Sequence, residues 1–200
     1  MHKTILFATL VAVALPATAA PRVGASAPAF TARDSNGKAV SLSQFRGKTV
    51  VLEWHNPGCP FVKKHYDSAN MQRTQAAAAG QGVVWLTVNS GAPGKQGHMD
   101  GATANALVKT AKARPASYIL DPAGDVGRSY SASTTPEMFV VDPRGTLVYK
   151  GGIDDKPTAN QADIPGARNH VLAALADMKA GKKVTVAETR SYGCSVKYAG

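Results

Sequence analysis

Two hundred residues with a net charge of +10 are enough for one domain with a sizeable core. The lysines and arginines are scattered and no aromatic–basic platform or nucleic-acid motif accompanies them, so the charge reads as a solvated surface and not as a nucleic-acid site. Two cysteines, Cys59 and Cys194, exclude a disulfide-framework scaffold; in an oxidising compartment such a pair either bonds or stays as reactive thiols.

The chain opens with Lys3, an apolar run from Ile5 to Leu15, and the small residues Ala17-Thr18-Ala19, the pattern of a secretory signal peptide cleaved after Ala19 or Ala20. The run is too short to span a bilayer, no later stretch is long enough, and no cysteine adjoins the cleavage site. A periplasmic protein with no stable membrane anchor is therefore expected. Its domain is expected over residues 21–181, with a polar tail, 182–200, that carries Cys194.

Phe30 to Arg33 and Ala39 to Leu42 flank Asn36-Gly37 and predict an N-terminal β-hairpin. Thr49 to Trp54 reads as a buried strand, and Phe61 to about Ala79 as one helix stopped by Gly80, with Val62, Tyr66, Ala69 and Arg73 along one side. Val83 to Val88 is a second buried strand, followed by a Gly- and Pro-rich loop from Asn89 to His98. A helix from Asp100 to Ala113 comes next, then a short strand, Ser117 to Leu120, and a short helix, Val126 to Tyr130. Glu137–Val141 and Thr146–Lys150 predict an antiparallel pair about the Asp142-Pro143-Arg144-Gly145 turn, and Ala167 to Ala180 a last helix. The order implies an α/β domain: a central mixed β-sheet flanked by helices, whose ligands collect at the carboxyl ends of strands.

Cys59 stands at such an end, where the Thr49–Trp54 strand turns into a helix. Free backbone N–H groups and the helix dipole favour a thiolate there. A cysteine that only fills core space is the other reading, but Asn56-Pro57-Gly58 before it and Pro60 after it are turn and helix-start chemistry. An unperturbed thiol is only roughly 3% ionised at pH 7, and a helix terminus contributes about 0.3–1 kcal/mol, at most about 2.

The segments Thr49–Lys63, Thr134-Thr135-Pro136 and Glu137–Tyr149 resemble the thioredoxin fold. More closely, Phe30 to Asp155 is similar to exported redoxins of the alkyl hydroperoxide reductase/thiol-specific antioxidant group. The nearest likeness is to the peroxiredoxin-like subgroup with its Cys-Pro-Phe-Val segment, Gly-Ile-Asp-Asp stretch (Gly152 to Asp155) and Gly-Cys-Ser-Val-Lys-Tyr tail (Gly193 to Tyr198). The resemblance implies that Cys59 is the nucleophile and that Pro136 is the cis-proline facing it, with Thr135 presenting backbone to a bound peptide. It places Glu53 at the buried acid that handles protons and Lys63 at the lysine following the active-site pair. Two departures matter. Val62 stands where thioredoxins carry a second cysteine. Leu52 and Asn56 stand where peroxiredoxins carry the proline and threonine of Pro-x-x-x-Thr-x-x-Cys.

Several roles stay open from sequence. Glu53 opposes the thiolate if ionised, relays a proton if neutral, or is a salt-bridged strand residue. Asn56 either offers an amide donor to a peroxide oxygen or only shapes a turn. Lys63, four residues after Cys59, can favour its thiolate. Cys194 is a resolving thiol, half of a permanent bridge, or free. The expected activity is hydroperoxide reduction with an unidentified thiol as electron donor and no cofactor. Disulfide exchange on exported proteins is the alternative. A third reading, copper(I) held by Cys59, His55, His98 and Met99, lacks any tight ligand spacing.

Overall fold

A computed structural model describes residues 20–200; the signal peptide read from the first residues lies outside them apart from Ala20. A seven-stranded mixed sheet is the frame. Its strands are β1 (Thr31–Asp34), β2 (Ala39–Ser41), β3 (Val50–Trp54), β4 (Val84–Asn89), β5 (Ser117–Leu120), β7 (Glu137–Val141) and β8 (Leu147–Gly151), in the spatial order β2-β1-β5-β4-β3-β7-β8. Strands β3, β4 and β5 are parallel; the N-terminal hairpin β1–β2 and the β7–β8 hairpin close the two edges antiparallel. A separate two-residue pairing joins β6 (Thr134–Thr135) to β9 (Cys194–Ser195). The fold is thioredoxin-like, as the resemblance implied.

Alternation within β3 explains both layers. Val50, Leu52 and Trp54 point to one face, against Leu86, Val88, Ile119, Tyr130 and Phe139. Helix α4 (Asp125–Ser129) covers that side through Val126. Val51 points to the other, where Met71 and Ala78 of α2 (Asn70–Ala79) and Val171, Ala174 and Leu175 of α5 (His170–Lys179) pack. Being central, β3 is buried on both faces and so reads as a continuous apolar run. Glu53 is the exception, and its row across the sheet runs Met138–Glu53–Thr87–Tyr118.

One expectation needs correction. The single helix after Cys59 is two: α1 (Pro60–Asp67) and α2, broken at Ala69, whose φ is 57°. The Ser68 hydroxyl bonds back to the Lys64 and His65 carbonyls at 2.7 and 3.3 Å, so the turn ends there without glycine or proline. Ala69 and Arg73 are accordingly exposed, and the buried faces are Val62, Lys64 and His65 in α1, and Met71, Thr74, Gln75 and Ala78 in α2. Residues 182–200, read as a polar tail, fold back along the sheet. Lys150 N–H donates to Ala187 and Thr189 N–H to Lys150, along the outer edge of β8, before the chain crosses to the Cys59 turn. The remaining helix, α3 (Gly101–Thr110), starts on Asp100, whose carboxylate accepts from Thr103 N–H at 2.7 Å. Among the described residues no helix is long and apolar enough to cross a membrane.

Candidate active site

The turn that delivers Cys59 is built by Asn56. Its side-chain oxygen accepts from Gly58 N–H at 2.8 Å and its carbonyl from Cys59 N–H at 3.0 Å. The Asn56 amide donates to Gln96 Oε1 at 3.2 Å, so it faces the loop after β4. Its donor is spent on holding that loop over the turn. Cys59 then occupies the N-cap of α1, with Pro60 at the first helical position.

Cys59 is fully buried and is not in a disulfide. Its thiol donates to the carbonyl of Thr135 at 3.1 Å, and the Thr135–Pro136 bond is cis. Glu137 braces this loop by accepting from the N–H groups of Ser133 and Thr134 at 2.7 and 3.1 Å. The register of β6 with β9 sets Thr135 opposite Cys194. Burial by itself raises the Cys59 pKa. Hydrogen bonds from the Cys194 thiol, the Thr135 hydroxyl and the N–H groups of Val62 and Cys194 outweigh it and leave the thiol below its ordinary value. Cys194 moves the other way, to about 11, through burial and its donation to Cys59. The two sulfurs are thus shifted apart, Cys59 toward easier ionisation and Cys194 away from it.

Gly193 makes this approach possible. A Cβ there would lie 2.0 Å from the Thr135 carbonyl oxygen, and its φ of 129° disfavours any side chain. Gly193→Ala is expected to push β9 off β6. Alkylation of Cys59 by iodoacetamide then accelerates, while closure onto Cys194 slows by roughly tenfold or more; quenched-flow mass spectrometry reads both.

Glu53 is fully buried beneath α1. Its carboxyl accepts from Tyr66 Oη and Trp85 Nε1, each at 2.8 Å, and from Thr87 Oγ1 at 3.2 Å. All three donors are neutral, which corrects the salt-bridged reading. Burial outweighs these bonds and lifts its pKa from 4.5 to about 7. His55 bonds Tyr118 through Nδ1 at 2.7 Å and packs edge-on against Tyr66; burial lowers its pKa to about 3, so it is a neutral core imidazole. Lys63 is exposed. The lysine the sequence reading passed over is Lys64, buried and donating to the Lys156 carbonyl at 2.8 Å.

The copper reading finds no support in the arrangement. His55 is committed to Tyr118, His98 is 2.9 Å from the Gly91 carbonyl, and Met99 packs with Ala104 and Tyr118. Among the described residues no group of three or more His, Cys, Asp or Glu could hold a metal.

Residues 23–150 match the model of a family described as the AhpC/TSA family. The thiol-disulfide oxidoreductase ResA of Bacillus subtilis (strain 168) is 27% identical over 125 residues, 62% of this chain and 64% of that protein. The chain therefore spans just under two thirds of that relative's length. A shorter stretch, 40 residues and 18% of each chain, is 50% identical to the chloroplastic peroxiredoxin Q of Oryza sativa subsp. japonica. Among solved structures, a hypothetical protein of Sinorhizobium meliloti 1021 superposes with a TM-score of 0.72 at 25% identity, covering 91% of this chain and 97% of that one.

Proposed function

This chain belongs to the AhpC/TSA family, and from that premise we propose that its thiol chemistry is the reduction of hydroperoxides, with Cys59 as nucleophile and Cys194 as resolving thiol. The observation that carries the reading is the pairing of a lowered Cys59 thiol with a raised Cys194 thiol across the β6–β9 step. The Cys59 thiolate attacks the nearer oxygen of the hydroperoxide, the O–O bond breaks, and the leaving alkoxide or hydroxide takes a proton. Cys59 is left as a sulfenic acid. The Cys194 sulfur then attacks it, forming the Cys59–Cys194 bond, and the sulfenic oxygen departs as water. An external thiol donor restores the dithiol.

A small oxidant suits the reduced state. The backbone edge beside Pro136, where an extended peptide would pair, is taken by β9, and Cys59 has no exposed surface. Disulfide exchange is the second reading. The likeness to ResA favours it, as does the commitment of the Asn56 amide to Gln96, away from a peroxide oxygen. In that reading Cys59 forms a mixed disulfide with an exported protein, and Cys194 displaces the reduced partner after β9 lifts away. The signal-peptide pattern of residues 1–20 supports export in either case.

One experiment separates the two. Reduced protein receives one equivalent of hydrogen peroxide or, in parallel, of oxidised scrambled protein, and intact mass is followed. Loss of two protons within seconds of peroxide addition supports hydroperoxide reduction. Cysteines that stay reduced for minutes with peroxide, yet close promptly with the disulfide substrate, overturn it in favour of exchange.

A further inference from the structure

Both sides of the thiol pair are tied to one buried carboxylate. Asp154 is 4% exposed; its Oδ1 accepts from the Tyr192 hydroxyl and, at 2.9 Å, from Lys156 N–H. Its Oδ2 has no hydrogen-bond partner and sits 3.9 Å from both Lys64 Nζ and His65 Nε2. Tyr192 is two residues before Cys194, and Lys64 and His65 are on α1, whose N-cap is Cys59. The Tyr192 ring also packs edge-on against Phe61, with centroids 5.9 Å apart, below Lys64 Nζ at 5.9 Å. Gly152 leaves room for that ring, since a Cβ there would come within 3.1 Å of it. The Gly-Ile-Asp-Asp stretch is thus the receptor for the tyrosine that precedes Cys194.

A strap held only by packing would not need this. Burying Lys64 and Asp154 costs more than burying apolar side chains of similar volume, so the ions are poor glue and better suited to fixing a geometry. We propose that Asp154 is a positioning residue that sets Cys194 against Cys59, gripping the tail through Tyr192 and α1 through Lys64. The tie governs how fast Cys194 closes on Cys59. This rests on the reading of Cys194 as the resolving thiol. In the step it serves, the Cys59 S–O bond breaks, the S–S bond forms, and the sulfenic oxygen leaves as water with the Cys194 proton.

The test uses Tyr192→Phe, Asp154→Asn and the double variant. Tyr192→Phe keeps the ring in place and removes only its hydroxyl, and with it the bond to Asp154 and the 3.3 Å contact with His65 Nε2, so the variant decides the matter even if Asp154→Asn fails to fold. After one equivalent of hydrogen peroxide, closure measured by intact mass is expected to slow by roughly tenfold or more, with dimedone-trapped sulfenate accumulating, while oxidation of Cys59 is not slowed. The equilibrium of the pair with glutathione is expected to show a similar fall in the effective molarity of Cys194. The double variant is expected to be little worse than either single one, as for groups acting through one contact. Closure and glutathione equilibrium in Tyr192→Phe equal to wild type would overturn the proposal, as would effects that simply multiply. The glutathione equilibrium needs no peroxide. A wild type that ignores peroxide but closes with glutathione thus fails the peroxidase reading and still tests the tie.

Discussion

Replacing Cys194 by alanine is expected to raise the pH midpoint of Cys59 alkylation and to stop peroxide oxidation at the sulfenic acid. Both effects have one geometric cause. After burial, which works against the thiolate, the hydrogen bond from the Cys194 thiol heads the contacts that lower the Cys59 pKa. Removing it leaves the Thr135 hydroxyl and the N–H groups of Val62 and residue 194 in place, so the midpoint moves up toward the ordinary thiol value without reaching what burial alone would impose. Cys194→Ser, which keeps a hydroxyl donor, should move it less. In either variant one equivalent of peroxide adds a single oxygen to Cys59, and further equivalents carry it to the irreversible sulfinic acid. Wild type is expected to escape this by closing the bond. An alkylation profile unchanged in Cys194→Ala would show that the Cys194 thiol does not reach the Cys59 sulfur in solution.

The strands and the Cys59 turn were legible because each rests on local chemistry. Val50 to Trp54 is apolar but for Glu53 and has no turn residues, and Asn56-Pro57-Gly58-Cys59-Pro60 is turn and helix-start chemistry that needs no distant partner. The break between α1 and α2 was not legible: a lone serine bonding back to two carbonyls carries no punctuation of the glycine or proline kind. The path of the tail was not legible for another reason. Its composition is polar, yet its fixed points are Tyr192 on Asp154, Gly193 on Thr135 and Tyr198 on the Ala132 carbonyl at 2.7 Å, each separated from its partner by tens of residues. Two tyrosines and a Gly-Cys step were the available signal. Lys64 shows the limit most plainly. Nothing in Lys63-Lys64 says which lysine is exposed; the turn of α1 decides it, and the Lys156 carbonyl together with the approach of Asp154 makes burial of the second tolerable.

Glu53 sets the second large effect, a loss of stability as pH rises through the range where most thiol chemistry operates. Its folded pKa, about 7, lies above the ordinary carboxyl value of 4.5, so the folded state holds a proton that the unfolded chain has released. Between those two values the native state binds more protons, and unfolding free energy falls as pH increases. The displacement corresponds to about 3 kcal/mol in all, present below pH 4.5 and lost by the time pH passes 7. Glu53→Gln is the matching variant. Its amide oxygen can keep the bond from Trp85 Nε1, and its NH2 can face Tyr66, whose hydroxyl turns from donor to acceptor. Urea unfolding of wild type between pH 5 and pH 8 should show the decline, and Glu53→Gln should remove the part due to this group and be the more stable protein at pH 8. Parallel curves for the two proteins across that range would mean that Glu53 ionises as it does in water. The proton it keeps near neutrality sits beneath the helix that carries Cys59, so the same variant tests whether that proton is used. If Glu53 relays protons, closure of the Cys59–Cys194 bond slows near pH 7 in Glu53→Gln; if it is only a buried acid, stability changes and closure does not.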